Sequence, residues 1–261
     1  MSWRILCLAW LLAPSPDIAT VELKPDTLQA FDDYVRAAEE RLDKQAASSQ
    51  FLWSDGVKGA NARLRAGEVL AEPWTGEGDV AIVNGLIHDW VGAVYIPNAT
   101  LDAVIAMVQD YGRDKVTFKP EVLDSKILSR NGDDFKVYMR LLKKKVVTVV
   151  LNTEHAVHYT RIGETRCYSR SRTTRVAEVD NPGERDEHER PLGNDHGFLW
   201  RLNSYWRFEQ RDGGVYVECE AISLSRSVPL GFGWLVNPII RTLPRDSLAN
   251  TMRCTRDGFR R

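Results

Sequence analysis

The sequence predicts an α+β fold: one long antiparallel meander of strands, preceded by an amphipathic helix and closed by a second, longer helix. Three observations carry this expectation. From about residue 122 to residue 224, apolar and polar residues alternate in segments joined by tight-turn signals, the period-2 pattern of half-buried strands. Two stretches, near 27–47 and after Pro229, switch to apolar residues three and four apart, the period of helices. The 261 residues are 43% hydrophobic and 27% charged, which supplies a core and lacks the composition of a disordered chain. The same numbers exclude some classes. With 35 Lys+Arg against 36 Asp+Glu the chain is nearly neutral, which argues against a general nucleic-acid binder. No apolar run reaches the roughly 18 residues of a membrane-spanning helix, and there is no low-complexity tract or internal repeat.

At the N-terminus, Arg4 precedes the apolar run Ile5-Leu6-Cys7-Leu8-Ala9-Trp10-Leu11-Leu12-Ala13, which Pro14 and Pro16 end. One basic residue, a short apolar stretch and small residues around 13–19 fit a secretory signal peptide over 1–20, so the chain is expected to be secreted or periplasmic. No clean Ala-x-Ala triplet marks a cleavage point; an uncleaved anchor and a buried N-terminal element are the other readings. Beyond that segment Cys167, Cys219 and Cys254 remain, an odd number without metal-ligand or C-x-x-C spacing. Cys167 and Cys219 fall in strand-like segments and are expected to be small buried hydrophobes, with one disulfide as the alternative.

The first helix is expected over 27–47, with Leu28, Phe31, Tyr34, Val35, Ala38 and Leu42 as its stripe and Asp26 or Thr27 as its cap. Residues 50–73 alternate only loosely and suggest small strands, so 21–75 reads as an N-terminal helix with short strands. Residues 81–97 are rich in β-branched and aromatic side chains, a long strand that Pro97-Asn98-Ala99-Thr100 breaks. Thr100 would cap a helix whose stripe is Leu101, Val104, Ile105, Val108 and Tyr111. Hairpins follow: 122–129 with 135–142 across Asn131-Gly132-Asp133, 146–159 with 166–179 across Gly163-Glu164, and 198–210 with 215–224 across Asp212-Gly213-Gly214. Lys143, Lys144 and Lys145 mark the turn between the first two. Finally Trp234, Leu235, Ile239 and Ile240 precede Pro244, and Leu248, Met252, Thr255 and Phe259 follow it, one long broken helix.

The run Trp90-Val91-Gly92-Ala93-Val94-Tyr95-Ile96-Pro97 leads into a helix, Tyr205-Trp206-Arg207-Phe208 lies on a late strand, and Ser227-Val228-Pro229 opens toward Trp234-Leu235-Val236-Asn237. With the element order, these runs resemble the START-like helix-grip (SRPBCC) superfamily of lipid-transfer START domains, plant pollen-allergen proteins and bacterial polyketide cyclases. The resemblance covers 80–261. It implies a curved antiparallel sheet wrapped around the C-terminal helix, enclosing an elongated apolar cavity, with the helix over 27–47 as an addition to the minimal fold.

Chemistry is sparse. His155 and His158 lie three apart on an expected strand, so they face opposite ways and cannot share a metal. His188 and His196 sit in an acidic loop over 180–196, read as solvated, with no EF-hand spacing. His88 is expected to be a satisfied core or edge histidine, facing away from its neighbour Asp89. The chain has no G-x-S-x-G, H-E-x-x-H, Walker or G-x-G-x-x-G motif, so no catalytic residue, metal or cofactor is expected. Arg161, Arg166, Arg170, Arg172 and Arg175 crowd one hairpin, and Arg166, Arg170 and Arg172 share a face. That face is either solvated and balanced by the acidic loop, or a transient contact with an anionic membrane surface.

Strand parity says more. Trp200, Leu202, Ser204, Trp206 and Phe208 oppose Arg201, Asn203, Tyr205, Arg207 and Glu209; Val215, Val217, Cys219 and Ala221 oppose Tyr216, Glu218 and Glu220; Phe135, Val137, Met139 and Leu141 oppose Lys136, Tyr138 and Arg140. One face is therefore expected apolar and covered, the other polar and wet. The apolar face is either packed core or a ligand wall. As a wall, it makes Trp90, Met139, Trp200 and Trp206 the aromatic and thioether lining, closed by Leu248 and Met252 of the last helix. The protein is then a non-catalytic binder of a hydrophobic or amphipathic, lipid-like molecule. A cyclase- or hydrolase-like enzyme of the same fold and a fully packed interaction module are the alternatives.

Overall fold

The first elements of the computed structural model, which describes residues 19–144, 148–227 and 233–259, are a two-residue strand β1 (Val21–Glu22) and helix α1 (Pro25–Ala46). Helix α1 buries Phe31, Val35, Ala38 and Leu42, as its spacing predicts. Its cap differs. Lys24 takes the cap position without a side-chain hydrogen bond, and Pro25 opens the helix, where a missing N–H leaves nothing unpaired. Residues 50–73 also differ from expectation: a 3-10 turn (Trp53–Gly56) and helix α2 (Ala60–Arg65) precede a single strand β2 (Leu70–Pro73). The strand expected over 81–97 is a hairpin, β3 (Asp79–Ile82) and β4 (Gly85–Pro97), turned at Asn84 with φ of 53°.

Thr100 caps helix α3 (Leu101–Val108) by accepting a hydrogen bond from the Ala103 N–H at 3.3 Å. A 3-10 turn (Tyr111–Arg113) and helix α4 (Asp114–Thr117) lead to the meander: β5 (Val122–Asn131), β6 (Asp134–Lys144), β7 (Thr148–Ile162) and β8 (Arg166–Asp180). Two-residue pairings β9 (His188–Glu189) and β10 (Asn194–Asp195) precede β11 (Arg201–Arg211), β12 (Gly214–Arg226) and helix α5 (Gly233–Phe259). The main sheet runs β2-β4-β12-β11-β8-β7-β6-β5, with β3 also on β4 and β9 on β8. Every pairing is antiparallel. The first long strand thus pairs with the last, so helix α5, following β12, lies back over β4, β2 and β12.

Leu248, Met252 and Thr255 form the buried stripe of α5, as the spacing predicts. They meet the sheet at Gly92: a Cβ there would sit 2.7 Å from Met252 Cγ and 2.9 Å from Leu248 Cγ. Glycine is what lets the helix approach this closely. Gly92→Val should therefore destabilise the fold by about 3 kcal/mol through overpacking, read from urea unfolding. A loss under about 1 kcal/mol would mean that α5 does not press on β4.

The polar face of the sheet is not wet. Helix α1 lies across it, packing Phe31, Val35, Ala38 and Leu42 on Ile87, Tyr205, Ile222 and Leu224. The turn at 53–56 and α2 cover its other end, where Phe51, Leu52 and Leu64 meet Ala93, Tyr95 and Tyr216. The charged residues between them are held by ion pairs and hydrogen bonds. Arg41 forks Glu220 at 2.5 and 3.1 Å, and Arg207 donates to Gln45 Oε1 at 2.7 Å and Leu42 O at 3.2 Å. Glu218 accepts from the N–H groups of Trp53 and Ser54 at 2.7 and 2.9 Å. Of the arginines expected on a solvated or membrane-contacting face, Arg170 pairs with Asp43 and Arg172 with Glu39, both on α1, and Arg166 with Glu209. The acidic loop is pinned as well, since Glu187 and Glu189 bind Arg140 and Arg175.

Cys167 and Cys219 are buried thiols and Cys254 is half-buried; none of the three is in a disulfide. No described helix is long and apolar enough to cross a membrane. The expected signal peptide, but for residues 19 and 20, lies outside the described residues, as do the Lys145 turn and Val228-Pro229.

Candidate ligand-binding site

The inner face, toward α5, is read row by row from the strand register. One row runs Tyr159, Ser169, Trp206, Cys219, Gly92 across β7, β8, β11, β12 and β4; the next runs Val157, Ser171, Ser204, Ala221, Trp90. Three adjacent strands thus present the small side chains of Ser171, Ser204 and Ala221, between Val157 and Trp90, where a packed sheet carries large apolar residues. Half-buried Trp206 lies in the neighbouring row, its ring parallel to Phe208 (6° between planes, centroids 6.0 Å apart).

Polar groups border this face. His155, two residues before Val157 and on the same side, is 6% exposed. Its Nε2 lies 2.9 Å from Thr153 Oγ1, and that hydroxyl donates its hydrogen to Met139 O at 3.1 Å. The hydroxyl can then only accept, so Nε2 carries the imidazole proton and Nδ1 is a bare acceptor. Burial pushes His155 down to about 4, so the ring is neutral at physiological pH. Among the described residues nothing hydrogen-bonds its Nδ1 or the hydroxyls of Ser171 and Ser204.

At the other end of β7, Tyr159 Oη lies 2.8 Å from Tyr111 Oη, and Phe135 meets both rings edge-on, with centroids 5.7 and 5.5 Å away. Burial raises both phenols far above their ordinary range. Asp114, at the start of α4, is 4% exposed; burial, reinforced by Asp110, pushes its carboxyl up to about 8. The inner face thus offers an acceptor at one end and donors at the other.

Of the residues expected to line a ligand space, Trp90, Met139, Trp206, Leu248 and Met252 share the cluster under α5. Trp200 does not. It precedes β11, outside the strand alternation, and packs under α1 with its Nε1 donating to Asp195 Oδ1 at 3.0 Å. Leu248 and Met252 close on Gly92, and Trp90 lies against Gly78, so these three are tightly packed. Met139 and Trp206 are the half-buried members. Sequence reasoning missed Tyr111, Asp114, Thr153, His155 and Tyr159; the shared parity of the three β7 residues with Val157 was the available signal.

The remaining histidines are satisfied: His88 bonds Asp79 at 2.7 Å and Ser225 at 3.0 Å, exposed His158 bonds Asp134 at 2.7 Å, His188 bonds Asp186 O at 2.9 Å and His196 bonds Glu178 at 2.5 Å. Among the described residues no group of His, Cys, Asp and Glu could hold a metal ion. On the outer face an open groove of about 460 Å³ runs past Asn131, Lys136, His158, Arg170 and Arg172. Its two arginines are already engaged by α1.

An antiparallel sheet with a C-terminal helix laid across one face defines a helix-grip α+β protein. No protein-family model and no curated protein matches the chain. Among solved structures it is similar to a STAR-related lipid transfer protein fragment from Xanthomonas axonopodis, at 17% identity over 70% of this chain and 99% of that one, TM-score 0.47. It is also similar to a protein from Thermus thermophilus, at 14% identity over 66% of this chain and 96% of that one, TM-score 0.48. A third is the Zhui aromatase/cyclase from Streptomyces, at 12% identity over 67% and 94%, TM-score 0.40. Likeness at this level carries no argument about ligand or reaction.

Proposed function

We propose that the protein binds one hydrophobic or amphipathic molecule, without transforming it, between the inner face of the sheet and α5. The observation that supports this reading best is the row of small side chains, Ser171, Ser204 and Ala221, beside half-buried Trp206, bordered by the unpartnered acceptor of His155. Buried polar groups are normally hydrogen-bonded, and sheet cores are normally filled by large apolar side chains. A small apolar molecule with polar ends meets both needs. Affinity would come from apolar burial, about 25 cal/mol per Å² before the costs of association. The inner face also lacks an activated nucleophile among the described residues. Burial pushes the Cys167 thiol up to about 11 and raises that of Cys219 further, and the proton of His155 is committed to Thr153.

Titration with diphenylhexatriene, an apolar rod-shaped fluorophore, tests this. Wild-type protein should bind it saturably, about one per chain, with quenching of tryptophan emission. Ser204→Leu puts a large side chain into that row and should abolish binding while changing stability by less than about 1 kcal/mol. If instead the wild type binds no probe and Ser204→Leu loses roughly 1–3 kcal/mol, the face is ordinary packed core.

A further inference from the structure

Resting on that reading, we propose that Tyr111, Tyr159 and Asp114 form a donor-lined end of the interior that receives an uncharged oxygen acceptor of the ligand, such as a ketone or ester carbonyl. Tyr111 and Tyr159 share one hydrogen bond, which uses one of their two phenolic hydrogens whichever residue donates. The other hydrogen has no acceptor in that pair, and extending the chain to a serine hydroxyl only passes the surplus along. Asp114 does not absorb it: its carboxyl is buried and hydrogen-bonds neither tyrosine, nor any other described residue. Kept protonated by its burial, it is a second donor without an acceptor. Two buried donors beside the Phe135 ring, at one end of the apolar inner face, define a site for lone pairs.

Arg207 is the only buried Lys or Arg among the described residues, and it lies on the outer face under α1. The cations at the strand ends near the tyrosines are exposed and engaged: Arg161 pairs with Asp102, and Arg130 lies over the Phe135 ring, 4.6 Å from its centroid, and bonds Gly132 O. An anionic head would be desolvated there without a counter-ion, facing Asp114 and Asp110. A cationic head would need Asp114 ionised in a place where burial and Asp110 both oppose it. An uncharged oxygen meets neither penalty.

The test uses four rods of one shape: diphenylhexatriene and its derivatives ending in a methyl propionate ester, a propionic acid or a trimethylammonium group. The ester should bind about fivefold to tenfold tighter than the parent hydrocarbon, the effect of one to two hydrogen bonds, and at least about tenfold tighter than either charged rod. Tyr111→Phe should reduce the ester's advantage, and Tyr111→Phe with Tyr159→Phe should remove it. The parent rod should keep its affinity in both variants, which also reports that the interior is intact. A charged rod binding as tightly as the ester, or an ester advantage that survives the double variant, overturns the assignment while leaving the binding space standing. Failure of all four rods to bind overturns the reading of the interior and this assignment with it.

Discussion

Replacing Arg41 by Ala should cost about 3–5 kcal/mol of stability, more than most surface changes, because it unpairs buried carboxyl groups rather than removing an exposed charge. Arg41 forks Glu220, whose side chain is 5% exposed, and its guanidinium lies over the Trp74 ring, 3.6 Å from the centroid. Asp89 shares that face of the neighbouring strand with Glu220 and is 1% exposed. Without the guanidinium, Glu220 stays desolvated beside Asp89 with no cation bonded to it, and Arg207, which is hydrogen-bonded to Gln45 and Leu42 O, remains nearby to oppose its charge. Arg41→Met combined with Glu220→Leu removes both charges and should recover most of the loss, because apolar replacement of a buried ion pair is often neutral or stabilising. Urea unfolding of the single and double variants checks both statements. A loss under about 1 kcal/mol for Arg41→Ala would mean that α1 rests on the sheet by its apolar stripe alone.

Stability should also fall as the pH rises from about 4 to about 8, and Asp89 should account for much of the fall. Burial, and then the Glu220 charge, push the Asp89 carboxyl from 3.8 up to about 8, although the Tyr34 hydroxyl donates to its Oδ2 at 2.7 Å. In the unfolded chain the group ionises near its ordinary value. Between the two values the folded protein holds a proton that the unfolded chain has released, so stability declines with pH through this window and levels off above it. Asp114, also pushed up to about 8, contributes with the same sign. Asp89→Asn keeps the shape and cannot ionise. Its thermal midpoint should match or fall below that of the wild type at pH 5 and exceed it by roughly 5 °C or more at pH 9. Parallel curves for the two proteins across this range would show that Asp89 ionises in the folded state as it does in water.

The meander was legible because turn chemistry and parity agree. Asn131-Gly132 turns β5 into β6, with Gly132 at φ of 58°, and Phe135, Val137 and Leu141 are all buried on one face. The stripe Leu248, Met252, Thr255 was legible for the same reason. The second cover of the sheet was not. Alternation separates polar from apolar side chains, but it cannot tell a glutamate facing water from one facing an arginine on another element. The usable sign lay in β4, which is apolar on both faces: Ile87, Val91, Ala93 and Tyr95 as well as Trp90, Val94 and Ile96 are buried. A strand of that kind is covered on both sides. Trp200 was misplaced because parity was carried one residue past the strand's start. Asp114 was invisible, since no local pattern marks a carboxyl that tertiary packing alone buries, and Tyr111 reads as an ordinary member of a helical stripe.

The central claim is that the interior between the sheet and α5 takes up one apolar molecule. Native mass spectrometry of the purified protein mixed with a small excess of diphenylhexatriene tests it most directly. The account predicts a single adduct of one probe per chain that reaches saturation and disappears in Ser204→Leu. No adduct, or a ladder of adducts that Ser204→Leu leaves unchanged, would contradict it.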